Sequence, residues 1–307
     1  MFGAARSPAV RKDYAACSGC SLCLLVCPVW RDTRDPRMTP EGRAKALQHG
    51  APAHELAVSV AACRLCGACE PVCPEKIDLL GMTLGLRAQL ADPAAVTALH
   101  ERMKEIAAHP LVPLAAAAAF LPGAALRAKS QALDRIAALI GATPSADDCV
   151  DIEEALHSGI PVPVERMDRL RGHLRAAQTI VVEDGLWIRP LREWFPAARL
   201  LGLGEALTKL EAVRRGLRKT DLYVIEPRAY HSDYERLVGH YDRLRTERGC
   251  AFNLDLQRIA IPPAAQADWI LKGLRVERVV VERQEDAAAF VAHGAYPVVH
   301  LAELADH

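Results

Sequence analysis

The chain has 307 residues, in which 38 Lys and Arg residues balance 38 Asp and Glu residues. This length predicts about two domains, and a hydrophobic content of 51% is enough to form packed cores. The arginines are spread among acidic residues instead of forming a basic block. We therefore exclude nucleic acid as a partner, because its recognition requires a basic surface.

Eight of the ten cysteines form two copies of one spacing, Cys-x2-Cys-x2-Cys-x3-Cys-Pro. The two runs are Cys17, Cys20, Cys23 and Cys27, followed by Cys63, Cys66, Cys69 and Cys73. Three thiolates on one tight loop can reach three irons of a cubane cluster, and the fourth iron needs a remote cysteine. The repeated spacing predicts two [4Fe–4S] clusters.

The ligand sets are predicted to cross between the runs. In two-cluster ferredoxins with this spacing, the fourth cysteine of each run ligates the other cluster. The predicted ligands of the first cluster are Cys17, Cys20, Cys23 and Cys73, and those of the second are Cys63, Cys66, Cys69 and Cys27. All eight ligands lie within residues 1–92, so we expect this module to hold both clusters on its own.

Zinc and disulfide bonds are the alternative uses of these cysteines, because Cys-x2-Cys pairs also form tetrahedral zinc sites. Each run, however, supplies four cysteines followed by proline instead of a single pair. The beginning of the chain carries no apolar run that resembles a signal peptide. We therefore expect a reducing, cytoplasmic location, in which disulfides are rare and thiolates are available to metal.

The segment between the two runs is predicted to be helical. Thr39 supplies an N-cap, Pro40 the first helical position and Glu41 an acidic residue in the first turn. A second helix over 54–62 leads to the second run. A third helix follows that run and closes the module near residue 92. The clusters are therefore expected to lie among helices.

This module resembles the iron–sulfur subunits of glycolate oxidase, anaerobic glycerol-3-phosphate dehydrogenase, lactate-utilisation systems and heterodisulfide reductase. The resemblance covers residues 13–92. Its motifs are Cys27-Pro28-Val29-Trp30, Thr39-Pro40-Glu41-Gly42-Arg43 and Cys69-Glu70-Pro71-Val72-Cys73-Pro74. The resemblance implies an α-helical ferredoxin that carries electrons between a flavoprotein or similar redox subunit and an acceptor such as a quinone or a heterodisulfide-type site.

In that group the ferredoxin is often followed by a domain with two Cys-Cys-Gly motifs, which hold a further redox centre. No Cys-Cys pair occurs in this chain, and only Cys149 and Cys250 follow the second run. The resemblance therefore implies, at most, a degenerate form of that domain that has lost its centre.

Residues 111–126 form an uncharged stretch that contains Pro113 and Pro122. A membrane-spanning helix needs about 20 apolar residues, so we predict no transmembrane span. We expect instead a buried or interfacial helix within a helical connector over residues 93–160. Contact with a membrane-bound partner at the cytoplasmic face stays open.

Residues 161–307 alternate short β-branched runs with amphipathic helices, which is typical of an α/β domain with a mainly parallel sheet. The expected fold class is thus a multidomain α+β protein, with a helical two-cluster ferredoxin, a helical linker and a C-terminal α/β domain. The predicted strands are 179–183, 199–201, 222–225, 259–261, 279–281 and 298–299. The predicted helices are 205–218, 230–247, 266–273 and 285–293.

Polar residues follow the predicted strand 222–225 at its carboxyl end, where open α/β sheets usually place their sites. Glu226, Arg228 and His231, with Tyr230, are candidates for proton transfer or anion binding. The alternative is an ordinary polar strand end that leads into a helix.

Several other residues are assigned structural roles. Gly202 and Gly204 lie at a strand-to-helix turn, but the third glycine of a dinucleotide-binding loop is missing, so a tight turn is favoured. Cys149, beside two aspartates, and Cys250 are expected to be structural cysteines.

Two functional hypotheses follow. The first is an electron-transfer subunit without catalytic residues, in which two clusters relay electrons between redox-protein subunits and the α/β domain serves as a docking platform. The second is a self-contained iron–sulfur enzyme, or an oxygen-sensing or assembly protein, that uses the α/β domain. A pocket that opens toward a cluster would support the enzyme.

Overall fold

The computed structural model describes residues 11–264, 266–292, 294 and 296–306. The first part of the chain is helical. Its α-helices are α1 Leu22–Val26, α2 Pro28–Thr33, α3 Pro40–Gln48, α4 Ala57–Ala62, α5 Leu79–Leu90 and α6 Pro93–Ala108. Short 3₁₀ turns at Tyr14–Ala16, Pro36–Met38 and Ala53–Leu56 connect them.

The capping signals act as the sequence predicts. The Thr39 hydroxyl accepts the N–H of Gly42 at 3.2 Å, and Pro40 occupies the first position of α3. Asp78 caps α5 in the same way, since its carboxylate accepts the N–H of Gly81 at 2.8 Å. These caps fix where the chain enters and leaves the helices that surround the cysteine loops.

The rest of the chain forms two α/β units with the same topology. The first sheet contains β1 Ala118–Leu121, β2 Thr143–Pro144, β3 Thr179–Val182 and β4 Arg199–Gly202, in the order β2-β1-β3-β4. Its helices are α7 Ala124–Arg127, α8 Ser130–Ile140, α9 Val150–Ser158, α10 Val164–Leu174, α11 Ile188–Trp194, α12 Leu203–Thr208 and α13 Glu211–Gly216.

The second sheet contains β5 Asp221–Val224, β6 Ala251–Phe252, β7 Arg278–Val281 and β8 Val298–His300, in the order β6-β5-β7-β8. Its helices are α14 Pro227–Ser232, α15 Tyr234–Arg248, α16 Ala267–Leu271 and α17 Ala287–Val291. Every pair of neighbouring strands in both sheets is parallel. The second unit therefore repeats the strand order of the first.

The predicted fold class is confirmed, but the parallel strands form two four-stranded sheets instead of one. Alternation along the strands explains how the sheets pack. Phe120 and Val181 of the first sheet share a core with Tyr223 and Val280 of the second. The residues next to them along each strand point to the opposite face of the sheet, where they pack in separate outer cores. The inner core holds the two units together.

The helix predicted within residues 111–126 is wrong, because β1 lies there and pairs with both β2 and β3. The first two strands of the sheet thus come from the segment predicted to be a helical connector. A strand buried on both faces reads as a short apolar run without alternation, which periodicity does not separate from a helix. Alanine composition favoured the helix, and strand pairing overrode it.

Among the residues that the structure describes, no helix is both long and apolar enough to cross a membrane.

The strand predicted at 259–261 is also wrong. Only an isolated antiparallel bridge joins Ala260 to Leu254, and β6 pairs with β5 instead. These residues are buried for another reason, since Ile259 packs against the ferredoxin part of the chain. The remaining predicted strands are present.

Several predicted helices are shorter than expected. The helix over 205–218 divides into α12 and α13, and the one over 230–247 divides at Asp233 into α14 and α15. Those over 266–273 and 285–293 correspond to α16 and α17, while His293 lies outside the described residues.

The ferredoxin part packs against both α/β units. Arg31 forms an ion pair with Asp255 at 3.1 Å, and Arg189 donates to Asp78 at 2.6 Å. Arg87 on α5 donates to the carbonyl of His157 at 2.7 Å. These contacts bring the second cysteine loop to the carboxyl ends of the strands.

Candidate functional site

The cysteines predicted for the second cluster line a single cavity: they are Cys27, Cys63, Cys66 and Cys69. Cys27 is supplied by the junction of α1 and α2, and Cys63 follows the end of α4. The structure thus brings the last cysteine of the first run beside three cysteines of the second. The ligand assignment itself stays a prediction.

The other four cysteines lie next to this cavity. Cys17, Cys23 and Cys73 pack in one cluster with Trp30 and the buried Ile77. Cys69 joins the same cluster, so the two sets of cysteines adjoin. Cys20, the remaining predicted ligand of the first cluster, is exposed. Trp30 packs here as a partly buried side chain beside the first set.

The chemistry of these thiols fits a metal cluster. Burial raises the pKa of both Cys23 and Cys66 to about 12, so neither would form a thiolate without a compensating cation. None of the ten cysteines, all within the described residues, is in a disulfide. A [4Fe–4S] cluster bound here would supply reversible one-electron transfer.

The conformation of the second cysteine loop depends on a glycine with a positive φ and on a hydrogen bond with a histidine. Gly67 has a φ of +72°, and a Cβ built there would lie 3.3 Å from Cβ of His231. His231 Nδ1 lies 2.6 Å from the Cys66 carbonyl oxygen, and its Nε2 accepts the Ala260 N–H at 3.1 Å. His231 Nδ1–H must therefore donate to Cys66.

This arrangement bears on the candidates that follow β5. Both nitrogens of His231 are occupied by backbone groups, and burial lowers its pKa to about 4, so it is a neutral connector instead of a proton carrier. Glu226 accepts the N–H groups of Ala229 at 2.6 Å and Gly185 at 3.2 Å, which makes it the cap of α14. Arg228 pairs with Asp184.

A pocket of about 280 Å³ lies between the second cysteine loop and the carboxyl ends of β5 and β7. Glu226 and Arg228 line it, as do Cys63 and Cys66, whereas His231 does not. The other charged or ionisable lining residues are Arg64, Arg87, His157, Arg283 and Asp286. The chain therefore has a pocket that opens toward the predicted second cluster.

Sequence reasoning identified Arg228 but missed the other three arginines of this pocket. The position of Arg283 carried a signal, because it follows the end of β7 as Glu226 follows the end of β5. Arg64 and Arg87 gave no comparable signal, since their proximity to the second sheet depends on how the ferredoxin packs.

The glycines at 202 and 204 do not form a phosphate cradle. A Cβ built on Gly204 would lie 1.8 Å from the carboxyl carbon of Glu282. A buried carboxyl group therefore fills the space beside this turn that a phosphate would need. The tight-turn interpretation agrees with this geometry.

Glu282 is fully enclosed by hydrogen-bond donors. It accepts the hydroxyls of Tyr223 at 2.5 Å and Tyr241 at 2.7 Å, and the N–H of Glu226 at 2.7 Å. Burial outweighs these hydrogen bonds and raises the pKa of Glu282 to about 7. The folded state thus retains a proton that the unfolded chain releases near its ordinary pKa of 4.5.

We expect Glu282→Gln to flatten the pH dependence of stability. As pH rises from 4.5 to about 7, the ionisation of Glu282 in the unfolded chain lowers the free energy of unfolding by about 3 kcal/mol. Glutamine removes this loss; its amide oxygen can accept the N–H of Glu226 while its amide nitrogen donates to the tyrosine hydroxyls. The check is the thermal unfolding midpoint of the anaerobic protein from pH 5 to pH 8.

The exposed Glu193 provides the control for this measurement. Glu193→Gln should show the same decline of the midpoint with rising pH as the parent. An equal decline in Glu282→Gln would mean that Glu282 is ionised in the folded protein.

The two cysteines outside the runs pack in cores. Burial, with the charge of Asp147, raises the pKa of Cys149 well above its usual value. Burial raises the pKa of Cys250 to about 11. Asp147 and Asp151 both bind the buried Arg166. These contacts agree with structural roles for both cysteines.

Comparison with known families matches residues 13–77 to the 4Fe-4S dicluster domain. Comparisons with curated proteins and with solved structures gave no significant match. The chain thus contains a 4Fe-4S dicluster domain that spans both cysteine runs, which confirms the prediction of iron–sulfur chemistry. The match does not distinguish among the subunit families that the sequence resembles.

Proposed function

We propose that this protein relays electrons through two [4Fe–4S] clusters, between a redox partner such as a flavoprotein dehydrogenase and an acceptor such as a quinone or a heterodisulfide-type site. The observation that carries the proposal is the 4Fe-4S dicluster match across both cysteine runs. Cys17, Cys20, Cys23 and Cys73 would hold the first cluster. Cys63, Cys66, Cys69 and Cys27 would hold the second.

The placement of the two cysteine sets supports a relay. Cys23 of the first set lies near enough to Cys69 of the second to contribute to the raised pKa of Cys69. Cys20 is exposed to solvent, and Cys66 lines the pocket. Two adjoining clusters would therefore connect the protein surface with the α/β units.

The surface beside Cys20 offers a docking edge for a redox partner. Leu22 and Leu25 follow Cys20 on α1, and 41% and 55% of their surface is exposed. Their spacing of three residues places them on the same side of the helix. Exposed apolar side chains next to an exposed ligand suit a transient electron-transfer contact.

The test is anaerobic purification from the native host, followed by iron and sulfide analysis, redox titration with EPR and identification of copurifying proteins. We expect about eight irons, two reversible one-electron reductions and a flavoprotein or quinone-reactive partner. Bound zinc, or iron that does not undergo reversible reduction, would contradict the relay.

The docking edge can be tested in the same preparation. Leu25→Glu should reduce recovery of the redox partner and its electron transfer to the clusters several-fold, because a charge replaces apolar contact area. Val58→Glu is the matched control, since Val58 is exposed on α4 outside the first run. Equal recovery in both variants would place the partner elsewhere.

The pocket favours catalysis as a second candidate function. It is lined by Cys63 and Cys66, so a molecule bound there would contact the loop of the predicted second cluster. Turnover of a small molecule by the purified chain with an artificial electron carrier would support this candidate.

A further inference from the structure

We propose that the pocket beside the second cysteine loop is a binding site for a small organic carboxylate, recognised by Arg64 and Arg87. This inference does not depend on the relay function, because it concerns equilibrium binding. It assigns a ligand class to a cavity at the junction of the ferredoxin and the second α/β unit.

The first step of the argument is the charge of the pocket wall. Four arginines line the cavity together with the carboxyl groups of Glu226 and Asp286, and Asp184 pairs with both Arg228 and Arg283. Arg64 and Arg87 are different. Within the described residues, neither guanidinium has a carboxylate partner.

The hydrogen bonds of Arg87 show why this charge is uncompensated. Its guanidinium donates to the backbone carbonyls of Cys63 and His157, both at 2.7 Å. Neutral carbonyls orient the group without cancelling its charge. A carboxylate in the pocket would supply the missing negative charge.

Arg64 is the more adaptable of the two. Its side chain is exposed, and its guanidinium makes no hydrogen bond or ion pair among the described residues. It can therefore turn onto a ligand without breaking an internal contact. A guanidinium that is free to approach a carboxylate forms two parallel hydrogen bonds with it.

The size and the other walls of the pocket favour an organic anion over inorganic phosphate. A volume of about 280 Å³ is close to the lower end of small-molecule sites. Leu65, Pro262 and Pro263 contribute apolar surface. Phosphate would leave this surface without contacts, whereas a short carbon chain would cover it.

Charge compensation of the second cluster is the competing explanation for these arginines. In that case Arg64 would affect the reduction potential but would not support ligand binding. The two explanations therefore differ in a measurement that does not involve activity.

The experiment is isothermal titration calorimetry of the full-length, anaerobically purified protein with propionate, succinate and inorganic phosphate at constant ionic strength. We expect saturable binding of at least one carboxylate with a Kd below about 10 mM, and weaker binding of phosphate. Arg64→Gln should weaken carboxylate binding about tenfold or more, because a charged hydrogen-bond pair is lost. Arg192→Gln, an exposed arginine that does not line the pocket, should bind as the parent does.

A second variant guards against damage to the cysteine loop. Ala264→Glu places a negative charge on the part of the pocket wall that the second α/β unit contributes and leaves the cysteine loop unchanged, so it should also weaken carboxylate binding. Iron content reports whether each variant retains its clusters. The proposal is overturned if neither carboxylate binds, if phosphate binds more tightly, or if both variants bind as the parent does.

Discussion

A Cys27→Ser variant is expected to lose the second cluster and keep the first, although Cys27 belongs to the first run in sequence. Cys27 lines the cavity formed by Cys63, Cys66 and Cys69. The charge of Cys63 helps to raise the pKa of Cys27, which places these two thiols close together. Serine is a poor ligand for iron, so anaerobic iron analysis should show about four irons instead of about eight.

Double variants identify which cluster is lost. If Cys27 and Cys66 ligate the same cluster, combining Cys27→Ser with Cys66→Ser removes no further iron. Combining Cys27→Ser with Cys20→Ser should remove nearly all of it, because each substitution then disables a different cluster. Cys149→Ser is the control, since Cys149 lies in a core of the first α/β unit. The reverse pattern in the double variants would show that each run ligates its own cluster.

The cysteine runs could be interpreted from sequence because their information is local. Four thiols at fixed spacing impose a loop whatever surrounds it. The helix that begins at Pro40 was predictable for the same reason, since Thr39 caps it through a contact three residues away. Five of the six predicted strands are present because their apolar runs are bounded by polar residues or turns.

The missing elements depend on distant contacts. β1 is a strand because β2 and β3 pair with its two edges, and an alanine-rich run carries no local sign of this pairing. The pocket assembles residues from the cysteine loop, α5 and the end of β7. The role of His231 was missed for the same reason, because its hydrogen-bond partner is the backbone of Cys66.

The same contacts change the expectation for the isolated ferredoxin module. Sequence alone predicts that residues 1–92 hold both clusters, because all eight ligands lie there. The structure shows, however, that the second loop is covered by the α/β part. Ile259 packs against Val26, Cys66 and Ala68, and His231 donates to the Cys66 carbonyl.

Truncation after residue 92 is therefore expected to cost the second cluster, leaving about four irons on the shortened chain. Removing Ile259 and His231 exposes the cavity to water and oxidant, whereas Cys17, Cys23 and Cys73 keep their contacts within the module. In the full-length chain, Ile259→Asp should reproduce a milder form of this loss, because Ile259 is 1% exposed. Leu256→Asp is its control, since Leu256 is fully exposed three residues earlier. If the truncated module retained about eight irons after anaerobic purification, the α/β part would not protect the second cluster, and the contacts of Ile259 and His231 would serve only to join the two parts of the protein.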